Sequence, residues 1–188
     1  MKLIKVLNII LHHSATKGSQ KFTAFLKAID ENHKARLHSE VNGFGSHIAY
    51  HYVISADGVV KETRPLDEVG YHAGKWTTNL SSIGICLQGD FTKETMPVAQ
   101  LEAAKTLVFE LRERFGLSSD KVLPHKKIKA TACPGFSDDE LNYIANGKPA
   151  WMEKLESWAD KYVTNLPLLL EGNIYSIIAL IKRSHEKK

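Results

Sequence analysis

The run Ile83-Gly84-Ile85-Cys86-Leu87 carries no polar side chain. An unbroken apolar stretch of this kind reads as a strand at the centre of a sheet, covered on both faces. A second run, Ile9-Ile10-Leu11, is followed at once by His12 and His13. A buried strand that ends in two imidazoles holds a potential ligand at a rigid place. With 188 residues the chain is long enough to bury a core and suits one α/β domain of ordinary size with an appendage.

The other elements follow from periodicity and punctuation. Phe22, Phe25, Leu26 and Ile29 recur at helical spacing, predicting an amphipathic helix to about Lys34. Arg36 to Ser46 is an irregular loop, of the kind that often carries substrate contacts. Tyr50 to Ile54 and Val59 to Thr63 are β-prone runs joined through Asp57-Gly58, a hairpin signal. Gly70 to Trp76 is a glycine-punctuated loop, and Thr77 to Ser82 reads as polar and flexible. Pro97 opens a long helix through Leu101, Ala104, Val108, Leu111 and Phe115, with Gly116 at its C-terminal cap. A short strand is expected at Val122-Leu123, and Ser137 with Glu140 fits a capping box for a helix through Ile144. Trp151, Leu155, Trp158 and Tyr162 mark a further helix.

The net charge of +4, from 25 basic and 21 acidic residues, is a mild and scattered excess. It does not call for nucleic acid as a partner, and it suits an anionic polymer such as a bacterial wall. Lys5 and Asn8 break the apolar N-terminus, which is read as the first strand and not as a signal peptide. Leu168-Leu169-Leu170 and Ile174 to Ile181, before a basic end, are too short for a confident membrane span. Packing on the domain is preferred there over an interfacial membrane helix.

The chemistry concentrates between Pro124 and Gly135, where His125 stands eight positions before Cys133. One imidazole and one thiolate on a single loop suit a borderline metal such as zinc, and His12 is the candidate third ligand. Three protein ligands leave a fourth tetrahedral position to water, as in catalytic zinc sites, and amide hydrolysis follows naturally from such a centre. Stabilising the oxyanion and protonating the leaving nitrogen require further groups, for which Tyr50, Tyr52, His51 and His72 are available.

Taken in order, Leu11-His12-His13-Ser14-Ala15-Thr16, Tyr50-His51-Tyr52-Val53-Ile54 with Asp57-Gly58, Gly70-Tyr71-His72-Ala73-Gly74, Ser82-Ile83-Gly84-Ile85 with Gly89-Asp90-Phe91, and His125 with Cys133-Pro134-Gly135 resemble the type-2 zinc N-acetylmuramoyl-L-alanine amidases. That class includes small phage amidase lysozymes and animal peptidoglycan recognition proteins. The resemblance implies a central mixed β-sheet flanked by helices over 1–146, with 147–188 left as a C-terminal helical extension, packed or targeting. It implies one zinc ion on His12, His125 and Cys133, and cleavage of the amide between N-acetylmuramic acid and L-alanine. Tyr50 matches the tyrosine that assists the transition state. Thr131 stands where phage enzymes carry a lysine and can donate a hydrogen bond but supply no cation. His72 matches a histidine of the substrate groove, with Trp76 and Asn79 expected on the same rim. The implied partner is peptidoglycan or a muropeptide, met by a monomer made in the cytoplasm and acting on the wall or on recycled muropeptides.

Two other functions compete. A recognition module would hold muropeptide without cutting it, but loss of the cysteine usually marks that state in the family, and Cys133 is present. A cysteine hydrolase, with Cys133 as nucleophile and His125 as base, leaves His12 unexplained. Cys86 reads as a small core residue, Trp151 and Trp158 as packing, and His33, His38, His47 and His185 as solvated or hydrogen-bonded side chains.

Overall fold

The computed structural model describes residues 1–148 together with Met152 and Lys154. Of the helix expected from Trp151 to Tyr162 only Met152 and Lys154 are among the described residues, and the apolar segment from Leu168 to Ile181 lies outside them. The chain divides into two compact units, Met1–Lys148 and Pro149–Lys188. Among the described residues no helix is long and apolar enough to cross a membrane.

Strands β1 (Asn8–His13), β2 (Tyr52–Ile54), β3 (Val60–Glu62), β4 (Ser82–Leu87) and β5 (Val122–Pro124) form one five-stranded sheet in the order β3-β2-β4-β1-β5. The pairs β1/β4, β1/β5 and β2/β4 are parallel, and only the β2/β3 hairpin is antiparallel. The sheet is therefore mixed, with β4 and β1 at its centre. Every residue of β4 is buried, which is why no polar alternation marks it in the sequence.

Helices α1 (Phe22–Leu37), α2 (Trp76–Asn79), α3 (Val98–Phe115) and α4 (Asp138–Asn146) complete the domain. Ile9 and Leu11 of β1 join Ile83, Ile85 and Leu87 of β4 in one core cluster, filled by Ala104, Leu107, Val108 and Leu111 of α3 and by Ile144 and Ala145 of α4. A second cluster sets Val53 and Cys86 against Phe25 and Ile29 of α1 and against Ile48. Side chains alternate across a strand, and His12 pairs in register with Cys86. His12 therefore lies on the α1 side, and His13 on the opposite one.

Several boundaries differ from the sequence reading. The first strand enters the sheet only at Asn8; further back, Lys2 makes an isolated antiparallel bridge to Glu68. Tyr50 and His51 precede β2, because the His51 ring occupies the place of a ladder bond: its Nδ1 accepts the Gly84 N–H at 3.0 Å and its Nε2 donates to Glu68 O at 2.9 Å. Helix α1 runs to Leu37 and ends in His38, whose φ of 49° is left-handed and whose N–H returns to His33 O. The stretch expected to be flexible holds α2 and the start of β4, tied by Ser82 Oγ donating to Thr78 O at 2.7 Å. The cap at Gly116 and the Ser137/Glu140 capping box form as anticipated.

Candidate functional site

Three side chains from distant parts of the chain converge at the C-terminal ends of β1 and β5. His12 is fixed by β1 and is fully buried. His125 opens the 3-10 turn that leaves β5. Cys133 closes the following loop, whose ends are joined by the Lys126 N–H donating to Cys133 O at 2.8 Å. Gly135 just beyond has φ 82°, and a Cβ there would stand 2.9 Å from Thr92 N, so only glycine permits that close crossing.

One donor atom each from His12, His125 and Cys133 lies within 4.8 Å of the other two, a group that could hold a metal ion. His12 Nδ1 is 3.7 Å from Cys133 Sγ, and the two imidazole centroids are 4.4 Å apart. The far nitrogen of each ring is already engaged. His125 Nε2 donates to Ala73 O at 3.1 Å, and His12 Nε2 lies 3.1 Å from His72 Nδ1. The nitrogens left free are both Nδ1, and ligating histidines are commonly anchored in this way through their other nitrogen.

The electrostatics suit donation of lone pairs. Burial, then the neighbouring His72, holds His12 well below the ordinary histidine range, and burial lowers His125 as well. Burial pushes the Cys133 thiol up to about 11, opposed by the His13 N–H, which approaches Sγ to 3.4 Å. A thiol in that state is a poor nucleophile at neutral pH without a cation beside it. His13 itself turns to the other face, where its Nδ1 accepts the Phe91 N–H at 3.2 Å.

Tyr50 packs its ring 5.1 Å from that of His12 and 5.2 Å from that of His33. Burial raises its phenol well above the usual value, so the hydroxyl stays a proton donor. Thr131 is exposed, and its Oγ1 accepts the Cys133 N–H at 3.2 Å, which leaves the hydroxyl proton free to point elsewhere. Trp76 is 45% exposed and tilts against Tyr71.

Asn79 and His72 are both buried. Asn79 is 5% exposed, and its Oδ1 accepts the Ala73 N–H at 2.8 Å. It thereby fixes the peptide whose carbonyl receives His125. His72, 6% exposed, lies under the site against β4. The resemblance implies groove contacts for these residues, and it carries no sign of how deeply either side chain is buried. His51, a candidate acid or base, serves the sheet instead, and His33 is buried with its Nδ1 accepting the Ala49 N–H at 3.0 Å.

A five-stranded mixed sheet with helices on both faces, carrying a His, His, Cys group where parallel strands end, defines an α/β domain with a potential metal centre at the C-terminal ends of its strands. The sequence matches the family described as N-acetylmuramoyl-L-alanine amidase over residues 3–136, and the chain belongs to that family. It is 32% identical over 130 residues to peptidoglycan-recognition protein SC1a of Drosophila melanogaster, covering 67% of this chain and 66% of that protein. It is 29% identical over 133 residues to the endolysin of Klebsiella phage KP32, covering 68% of this chain and 80% of that one. Among solved structures, the N-acetylmuramoyl-L-alanine amidase LysC from Clostridium intestinale URNW superposes with a TM-score of 0.62 at 28% identity, covering 77% of this chain and 87% of that one.

Proposed function

We propose that the chain is a zinc-dependent hydrolase that cleaves the amide joining N-acetylmuramic acid to L-alanine in peptidoglycan or in muropeptides released from it. The observation that carries this reading is the grouping of His12, His125 and Cys133 with all three donor atoms within 4.8 Å. Two neutral imidazoles and one sulfur are donors that zinc favours over harder cations. A zinc ion held there supplies a Lewis acid that polarises an amide carbonyl and lowers the pKa of water.

The chain's own residues do the rest. Tyr50, kept protonated by its burial, donates a hydrogen bond toward the carbonyl oxygen as negative charge develops on it. Thr131, whose Oγ1 accepts the Cys133 N–H, donates its hydroxyl proton to the same developing charge. Trp76 offers an exposed aromatic face on the rim for the sugar or stem peptide. Water adds across the amide, giving the free lactyl carboxylate and the free amine of the peptide.

A recognition module that binds without cutting is the second reading, favoured by the likeness to a peptidoglycan-recognition protein. The complete donor set supports hydrolysis over it. Mass spectrometry of purified sacculi treated with the protein, with and without chelator, decides between them. The hydrolase gives muramoyl species lacking their stem peptides, loses this with chelator, and loses both zinc and activity in Cys133→Ser. Unchanged sacculi under metal-replete conditions sink the hydrolase reading, and chelator-resistant cleavage sinks the zinc.

A further inference from the structure

We infer that His72 is a positioning residue: through a hydrogen-bond relay anchored on Ser82, it fixes which ring nitrogen of His12 presents its lone pair to Cys133. The inference deepens the zinc-centre reading proposed above and rests on it for its consequence, though the relay itself is a property of the metal-free chain.

The relay follows from proton accounting. Ser82 Oγ has one proton and gives it to Thr78 O at 2.7 Å. Toward its other neighbour, His72 Nε2 at 3.5 Å, the hydroxyl can therefore only accept. His72 Nε2 must then carry the hydrogen, and in a neutral ring that makes Nδ1 an acceptor. His72 Nδ1 stands 3.1 Å from His12 Nε2, so the His12 proton is drawn to Nε2. The lone pair is left on Nδ1, the atom 3.7 Å from Cys133 Sγ. Ser82, through its hydroxyl and its backbone, thus sets the tautomer of a side chain at the end of β1.

The sheet is shaped to hold this relay. Ser82, Gly84 and Cys86 alternate onto the α1 side of β4, and His12 pairs with Cys86 on that same side. The His72 ring spans from the first of these residues to His12, directly over the second. A Cβ at Gly84 would stand 2.4 Å from His72 Cγ, and one at Gly70 would stand 2.7 Å from His72 Cδ2. Two glycines, one on the strand and one in the loop, leave room for the ring. A groove residue would need no such bed, and at 6% exposure His72 offers little surface to a polysaccharide.

The test uses the full chain in two measurements. Two-bond 1H–15N spectra of metal-free, 15N-labelled protein above neutral pH should show both His12 and His72 protonated on Nε2. Competition with a chromophoric chelator, without substrate, should show zinc held about 10–100-fold more weakly by His72→Leu. His72→Asn, whose Oδ1 can accept in place of Nδ1, should recover most of that loss. A substrate contact would leave zinc affinity unchanged and raise only KM.

A His12 proton on Nδ1, or a folded His72→Leu that binds zinc as the unmodified chain does, overturns the relay. If His72→Leu fails to fold, the spectra of the unmodified chain still decide it. A chain that shows the expected tautomers yet binds no zinc refutes the metal centre and leaves the relay standing.

Discussion

At the scale of single residues, the site separates groups that hold from groups that act. His12 and His125 have their non-ligating nitrogens tied to neighbours and Cys133 Sγ is approached by the His13 N–H, whereas the Tyr50 phenol is kept as a proton donor by burial and packs against His12. Tyr50→Phe removes the donor and retains the ring. The expected result is an unchanged zinc content with kcat on a soluble muropeptide reduced about 100-fold, the lower end of what a positioned proton donor contributes. Full turnover by the variant, with metal content measured in parallel, would remove Tyr50 from the mechanism. Two of the polar residues singled out in the sequence act differently in the structure. The spacing of His125 and Cys133 was visible because one loop carries both; the direction of His72 and Asn79 was not, since it depends on what stands above β4.

Elements explain why those residues meet. Strand β4 keeps large apolar groups at Ile83, Ile85 and Leu87 toward α3, and small ones at Ser82, Gly84 and Cys86 toward α1. That alternation of size within a wholly apolar-looking strand is the sequence signal that could have disclosed a ring lying across it. Gly84→Ala tests the point at the strand itself. Placing a methyl 2.4 Å from His72 Cγ forces the ring to move, and overpacking of this kind costs about 1–3 kcal/mol. Urea denaturation should register that loss, and zinc affinity should fall with it. A variant as stable as the parent would mean that the ring moves freely and is not bedded on β4. By contrast, the α4 capping box was legible outright, because Ser137 and Glu140 satisfy each other's backbone without reference to the rest of the fold.

The whole molecule carries an unusual load of buried imidazole. His33 and His51 are both brought down to about 4, in each case chiefly by burial. In the unfolded chain they return to about 6.5. Between those values the unfolded state binds protons that the folded state refuses, so stability is full above about pH 6.5 and is lost as the pH falls toward 4. Each group adds a slope of up to about 1.4 kcal/mol per pH unit within that window. Asp90, held at about 2 by Lys93 and then Thr92, titrates below it. The urea midpoint of the metal-free chain is therefore expected to drop steeply between pH 6.5 and 4.5. A flat midpoint there would show that these rings are solvated or already charged in the folded state.

What the sequence determined by itself is local or strongly patterned: the two apolar strands at the centre, the long helix closed by Gly116, the Asp57-Gly58 hairpin, the capping box, and a loop bearing His125 and Cys133. Each of these is encoded within one stretch of chain, by periodicity, a turn residue or a fixed spacing. The tertiary structure alone decided which face His12 and His13 take, that Asn79 anchors a loop, and that His72 rests on glycine beneath the site. Those outcomes depend on register between strands far apart in the chain and on the room left by a missing Cβ, neither of which any single stretch of residues contains.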